Sequence, residues 1–260
     1  SGRRFRLAHV RFGTKTIEDK HNYGVIDLAT ILAKSSNVGA VHVSMQLDKE
    51  MLWNTLSHFG AGRLTSSGYP GESAGMLPPF QGWRPIGQAT MAFGYGLSMT
   101  PLQLAQAYSV LAGDGLYRPV SLIRVEKPTI ARRVVSPETA RNVIAMLEHV
   151  VSEEGTGLKA TVTGYRVAGK TGTARKSGAG GYSDDRHTAV FAGLVPVTAP
   201  RLVIVVVVDE PQGGVYYGGD VAAPVFSAVA AGALRILAVP PDGVDVTAPK
   251  PLTRLAASVP

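Results

Sequence analysis

The sequence predicts an α+β fold: a helical part, then an antiparallel sheet covered by helices. Three observations carry this. Capped helical stretches fill much of residues 1–157. Three strand-like runs at 164–174, 188–195 and 202–208 then follow on short connections. Last comes an apolar, helix-length segment at 221–239.

The elements follow in order. Leu28, Ile31 and Leu32, then Val38, Val41, Val43 and Leu47, give helical spacing over 25–48. Ser35-Ser36-Asn37 interrupts it, because Ser and Asn side chains compete for backbone hydrogen bonds and favour a break or a cap. Residues 49–59 read as another helix, and the Gly-, Pro- and Ser-rich stretch 60–87 as a long loop. Thr100-Pro101 starts a helix with an N-cap hydroxyl followed by proline at the first helical position. That helix runs to about Ala112 and stops at Gly113-Asp114-Gly115. Ser136-Pro137-Glu138-Thr139 repeats the device and opens a helix to about Val151.

The strands Gly164–Ala174, Thr188–Val195 and Leu202–Val208 occupy the part 158–241. Ser177-Gly178-Ala179-Gly180-Gly181 reads as a flexible hairpin loop between the first two. The run Val221–Val239 is long enough for a membrane span. Pro224 near its start, Arg235 inside it and the strand-like run before it favour a helix buried on the sheet. The Pro-rich tail, 242–260, is expected to be flexible.

Composition excludes some functions. The chain has 260 residues, 45% apolar and 17% charged, enough to bury a full core. Its net charge is +7, but the basic residues are scattered apart from Arg3-Arg4, Arg132-Arg133 and Arg175-Lys176. None of these doublets interleaves with aromatics, which argues against a nucleic-acid partner. The absence of cysteine fits an oxidising compartment and also many cytosolic proteins. No apolar stretch follows Ser1-Gly2-Arg3-Arg4, so these residues hold no secretory signal.

Several motifs are decoys. Gly71-Glu72-Ser73-Ala74-Gly75 matches a nucleophile elbow, but Pro70 before it and Pro78-Pro79 after it disfavour the strand-to-helix turn that motif needs. Gly164 to Thr171 satisfies G-x-x-x-x-G-K-T, yet bulky Tyr165, Arg166 and Val167 suit a strand, and 172–178 makes a poor helix. The six histidines, His9, His21, His42, His58, His149 and His187, show no metal-ligand spacing, so no metal or cofactor is expected.

Two sets survive. Ser35-Ser36-Asn37 stands at a helix break, and Lys170-Thr171-Gly172-Thr173 on a strand. The second aligns a cation and two hydroxyls along a rim suited to an anionic, peptide-like ligand, with a glycine that admits close approach.

In this order and on these elements, the two sets resemble the Ser-x-Asn and Lys-Thr-Gly motifs of the penicillin-binding transpeptidases. Phe93-Gly94-Tyr95-Gly96, Gln103-Leu104-Ala105, Glu153-Glu154-Gly155-Thr156-Gly157, Tyr216-Tyr217-Gly218-Gly219 and Ala223-Pro224-Val225-Phe226 extend the resemblance to the class B, division-specific branch. It covers about Asp27 to Pro241. The resemblance implies the penicillin-binding/serine β-lactamase-like fold, with a helical subdomain and an incomplete N-terminus. It departs in one respect: none of the serines has Lys three residues on. The expectation is a C-terminal portion of the transpeptidase domain, inactive alone, with the nucleophile, pedestal and membrane anchor upstream.

The resemblance implies acyl transfer through a serine ester, with peptidoglycan stem peptides as substrates and β-lactams as inhibitors. It implies division proteins including a glycan polymerase as partners, at the periplasmic face of the inner membrane. Ser35 would relay a proton to the leaving amine, Asn37 hold the substrate amide and Lys170 stabilise developing negative charge. Thr171 and Thr173 would bind the terminal carboxylate, the Thr173 N–H would form half of an oxyanion hole, and Arg175 would add charge. Gly172 would leave room for the substrate strand, and Tyr216 and Tyr217 would form an aromatic wall. Two other readings stay open: a non-catalytic module that binds peptidoglycan or β-lactam, and a related D,D-carboxypeptidase or β-lactamase. At the residue level Ser35 as a helix cap, Lys170 as a surface cation and the tyrosines as loop packing also stay open.

Overall fold

The computed structural model describes residues 4–7, 9–126, 130–178 and 181–243. Two short hairpin-like pairs open the chain: β1 (Arg4–Leu7), β2 (Val10–Phe12), β3 (Lys15–Ile17) and β4 (Gly24–Asp27), with β1 paired to β4 and β2 to β3. Helices α1 (Leu28–Lys34), α2 (Asn37–Ser44), α3 (Lys49–His58), α4 (Pro85–Met91) and α5 (Pro101–Ala112) follow. After the small pair β5 (Leu116–Tyr117) and β6 (Arg132–Arg133) comes α6 (Pro137–Val150). The main sheet consists of β7 (Ala168–Gly178), β8 (Gly181–Val195) and β9 (Leu202–Asp209), antiparallel in that spatial order. Short α7 (Gly218–Val221) leads into α8 (Ala223–Ile236).

The caps read from sequence are present. Thr100 and Gln103 form a reciprocal capping box on α5, with Pro101 in the first turn, and Ser136 accepts the Thr139 N–H on α6. The break at 35–37 separates α1 from α2, and Asp27 and Ser36 cap their N-termini.

The sheet is covered on both faces. On one, Phe191 and Val195 of β8 pack with Phe226, Ala230 and Leu234 of α8. On the other, Ala168 and Leu194 pack with Ile144, Leu147 and Val150 of α6, joined by Tyr108 and Leu111 of α5. The alternation of side chains along each strand produces these two faces. The segment Gly218–Ile236 is apolar and long enough to cross a membrane. One stripe of it is fully buried on the sheet, as the sequence predicts, while Val225, Val229 and Ile236 face outward.

The structure corrects several expectations. Helix α4 overlaps the stretch 60–87, read as loop, by its first three residues, Pro85–Gly87, and runs on to Met91. Its N-cap, Arg84, makes no side-chain cap bond, which leaves Pro85 in the first turn as its N-terminal signal. The first long strand begins at Ala168 rather than Gly164, because Gly164 turns at φ 82° and Val162 bridges Tyr165. Ser177, Gly178 and Gly181, read as loop, belong to β7 and β8, which stay paired beyond a bulge between Arg175 and Ser177. The tip of that loop, residues 179–180, lies outside the described residues. At the start of the expected tail, Asp242 accepts the backbone N–H groups of Arg166 and Thr198 at 2.7 and 3.0 Å, and the Gly243 N–H donates to the Gly164 carbonyl. Residues 244–260 lie outside the described residues.

Candidate active site

The Lys170–Thr173 set lies on β7, an edge strand among the described residues. The Arg175 N–H donates to the Tyr95 hydroxyl at 3.3 Å, so it points away from β8. The register from Ala168 to Arg175 is unbroken. Backbone groups two residues apart point the same way, so the N–H and C=O of Thr171 and Thr173 face this open edge as well. The segment after α6 approaches the same strand, with Thr156 Oγ1 lying 2.7 Å from Thr171 Oγ1. Thr156 therefore engages the Thr171 side chain, and Tyr95 the Arg175 backbone. Between them no described residue takes the Thr173 N–H, which leaves a donor where an extended ligand can add as a strand.

The side chains of this strand divide between the two faces. Lys170 shares its face with Ala168, toward α6. Its side chain is half-buried by area, but its ammonium lies deep among protein atoms, and this burial lowers the pKa from 10.5 to about 8. The ammonium donates to the Thr171 carbonyl at 3.2 Å. Thr171 and Thr173 share the opposite face with Phe191. There the Gly218 N–H donates to Thr173 Oγ1 at 3.0 Å. Gly218 is required at that contact: a Cβ would stand 2.3 Å from the Val190 carbonyl oxygen and 2.4 Å from that of Gly172. Gly172 itself carries no such constraint, since a Cβ there would meet only Val190 at 3.5 Å.

The helix break presents the second set. Ser35 is exposed and left-handed, φ 54° and ψ 45°, at the C-cap of α1. Backbone bonds from the N–H groups of Ser35 to the Leu32 carbonyl (3.2 Å) and of Ser36 to the Ile31 carbonyl (3.0 Å) hold the turn. Ser36 is buried; its hydroxyl donates to Asp19 at 2.5 Å and accepts the Gly39 N–H. Asp19 also accepts the Val38 N–H at 3.2 Å, so a carboxylate from the loop after β3 sits at the N-terminus of α2, where the helix dipole favours it. Asn37 is the first residue of α2 and half-buried.

The structure links the two sets without a direct hydrogen bond between Lys170 and Ser35. The link is Thr156, whose N–H donates to the Ala33 carbonyl of α1 at 3.2 Å while its side chain meets Thr171. Lys34 adds a bond from its ammonium to the Glu154 carbonyl at 2.7 Å.

Tyr216 and Tyr217 stand side by side, ring centroids 4.5 Å apart. Tyr216 stacks on His187 at 4.0 Å and 15°. His187 is opposite Arg175 in the β7–β8 register, so this ring lies on the face that carries Thr173. Tyr217 is more exposed and accepts a hydrogen bond from Lys20, which holds its pKa below the ordinary phenol value.

Several residues at the site carry no signal of their own in the sequence. Asp19 and Lys20 lie in no motif. His187, read as a surface or hydrogen-bonded histidine, is buried beneath Tyr216. Thr156 and Tyr95 lie within stretches that carried the resemblance, which marked them without assigning them a place at the site. The decoys stay decoys: Ser73 lies in a loop with no helical turn before Phe80, and β7 continues as strand beyond Lys170-Thr171.

Residues 7–231 match the penicillin binding protein transpeptidase domain. The chain is 42% identical to the peptidoglycan D,D-transpeptidase FtsI of Escherichia coli K12 over 234 residues, 90% of this chain and 40% of that protein. It is 40% identical to the probable peptidoglycan D,D-transpeptidase PenA of Neisseria meningitidis serogroup A over 250 residues, 96% of this chain and 42% of that protein. It thus spans about two fifths of the length of these relatives. The apo transpeptidase domain of Burkholderia pseudomallei penicillin-binding protein 3 superposes with a TM-score of 0.86 at 44% identity, covering 90% of this chain and 71% of that one. A peptidoglycan glycosyltransferase from Burkholderia ambifaria superposes at 0.84 with 39% identity, covering 93% and 74%.

Proposed function

The chain belongs to the penicillin-binding protein transpeptidase domain family, and on that premise we propose that it forms two walls of the acyl-transfer cleft of a cell-division peptidoglycan D,D-transpeptidase. The observation that carries the reading is the open edge of β7. It combines a desolvated cation, two threonine hydroxyls and the outward N–H of Thr173 within four residues. A stem peptide ending in D-Ala-D-Ala is an extended chain with a terminal carboxylate, and this edge complements both features.

The reaction follows from that placement. A serine from a Ser-x-x-Lys segment, a pattern absent from these 260 residues, attacks the penultimate D-alanine carbonyl. The C–O bond of an ester forms, the C–N bond to the terminal D-alanine breaks, and the serine proton passes by way of Ser35 to the leaving amine. An amine of a second stem peptide then attacks the ester and restores the serine. Thr171 and Thr173 hold the terminal carboxylate and Arg175 adds charge. The Thr173 N–H stabilises the oxyanion, and Asn37 holds the substrate amide. Lys170 supplies positive charge beside Ser35. Tyr216 and Tyr217 line the wall, and Gly172 leaves room for the substrate backbone. A β-lactam acylates the same serine. The complete protein works at the septum, on the periplasmic face of the inner membrane, beside a glycan polymerase and other division proteins.

The test joins this chain to a family Ser-x-x-Lys segment and exposes it to fluorescent penicillin. The joined protein is expected to form a long-lived adduct, one acyl group by intact mass, while the 260-residue chain alone stays unlabelled. An adduct on the chain alone overturns the assignment of the nucleophile. No adduct on the joined protein overturns the acyl-transfer reading, and rapid turnover of a chromogenic β-lactam reassigns it to a hydrolase.

A further inference from the structure

The two threonines of β7 differ in what fixes their hydroxyls. Thr173 Oγ1 accepts from the Gly218 N–H, a donor that can only donate. Its own O–H is therefore left to point at a ligand. Thr171 Oγ1 has Thr156 Oγ1 at 2.7 Å, and either hydroxyl can be the donor in that pair. With Thr171 as donor, its oxygen turns only lone pairs toward an arriving carboxylate, and the contact is repulsive. With Thr156 as donor, Thr171 keeps a free O–H, and the chain Thr156 to Thr171 to carboxylate runs in one direction, each bond polarising the next.

Resting on the function proposed above, we propose that Thr156 is a positioning residue that donates to Thr171 and so sets the Thr171 hydroxyl as the second donor to the ligand carboxylate. Its own placement is built from three sides. The Thr156 N–H is anchored on the Ala33 carbonyl of α1. The Gly157 N–H is anchored on the Val150 carbonyl at the end of α6. Gly219 packs so closely that a Cβ there would stand 2.2 Å from the Thr156 carbonyl oxygen. The backbone of Thr156 therefore touches the Ser35-bearing helix and the Tyr-Tyr-Gly-Gly segment, while its side chain sets the strand. An N–H fixes one threonine and a hydroxyl the other, so only the second can be switched off by changing a side chain.

The experiment uses this chain joined to a family Ser-x-x-Lys segment, with fluorescent penicillin and its carboxyl methyl ester as probes. Thr156→Val keeps the shape and removes the hydroxyl; Thr156→Ser keeps the hydroxyl. Thr156→Val is expected to slow acylation by the free acid about 2- to 10-fold, the range for one neutral hydrogen bond, because Thr171 keeps an O–H that nothing then fixes. The loss should fall in initial binding rather than in the limiting acylation rate. The ester should react nearly as with the parent, so the acid-to-ester preference shrinks, and Thr156→Ser should restore it. Equal acylation of parent and Thr156→Val by the acid overturns the proposal. So does an equal loss on acid and ester, which would mark a merely structural role, and so does failure of Thr156→Ser to rescue. If the parent is labelled by neither probe, the function proposed above fails first, and this inference falls with it.

Discussion

The strand wall and the helix-break wall present similar chemistry, a hydroxyl beside a hydrogen-bonding partner, on unlike supports. Lys170, Thr171 and Thr173 lie on a strand whose register is continuous over eight pairs with β8, in a sheet packed between α8 and the α5–α6 layer. Ser35 and Asn37 straddle a two-residue turn at the surface, held by backbone bonds and by one carboxylate, Asp19, from a distant loop. The strand wall carries its cost as a charge taken out of water, and the core holds that charge in place. The helix-break wall carries its cost as backbone strain at Ser35, between helices whose Ile31, Val38 and Val41 pack in a separate core cluster. Substitutions can break that asymmetry from either side.

The largest effect is expected at Lys170. Lys170→Met in the joined protein should slow penicillin acylation by roughly 10²- to 10⁴-fold, the scale of losing an electrostatic or acid–base partner. The same change should stabilise the fold at pH 7 by on the order of 1–3 kcal/mol, because it removes a desolvated charge. The pH window follows from the shift. The folded pKa, about 8, lies below the ordinary 10.5. Below pH 8 both folded and unfolded chains are protonated, and the fold carries the full desolvation cost. From pH 8 to 10.5 the folded chain releases its proton first, so the parent gains stability with rising pH. Denaturant titrations at pH 7 and 9.5 should show the parent gaining and Lys170→Met changing less. Binding of a carboxylate ligand should move the opposite way, weakening as pH rises through 8. A Lys170→Met protein that is less stable than the parent at pH 7 would place the cost elsewhere.

A second test bears on the packing of the strand wall. Gly218→Ala drives a Cβ onto two backbone carbonyls and should destabilise by about 1–3 kcal/mol, with loss of the Gly218 donor to Thr173. A methyl group added at Gly232, on α8, would meet nothing within 4 Å, so Gly232→Ala should be neutral or stabilising by up to about 1 kcal/mol. Thermal melts of the pair separate a specific collision from general sensitivity to alanine.

How far each wall was legible in the sequence follows from how local its determinants are. The caps Thr100-Pro101 and Ser136-Pro137, and the Ser35-Ser36-Asn37 break, act within four residues and were readable. So was the strand, because bulky Tyr165-Arg166-Val167 and the glycine-rich stretch after Lys170 excluded a phosphate loop. Helix α4 was not, because it lacks a side-chain cap and runs only seven residues. The pairs β1–β4 and β2–β3 were not, because strands of three or four residues show too little alternation. The supports of the site were least legible of all. Asp19 reaches Ser36 across 17 residues, Thr156 reaches Thr171 across 15 and Tyr95 reaches Arg175 across 80. Short polar residues of this kind become informative only once the chain has folded them into place.

At Ser35 the expected change in stability is smaller than at Lys170 or Gly218, and it separates backbone from side chain. A non-glycine residue in the left-handed region costs roughly 1–2 kcal/mol, and helix C-termini of this kind ordinarily use glycine. Ser35→Gly removes the strain and the hydroxyl together, while Ser35→Ala removes the hydroxyl and keeps the strain. Both should slow acylation alike in the joined protein. Only Ser35→Gly should gain stability, by about 1 kcal/mol, offset in part by the greater freedom of glycine in the unfolded chain. Thermal melts and labelling rates on the two variants check this. If Ser35→Ala gained as much stability as Ser35→Gly, the serine side chain rather than the backbone would be the source of strain.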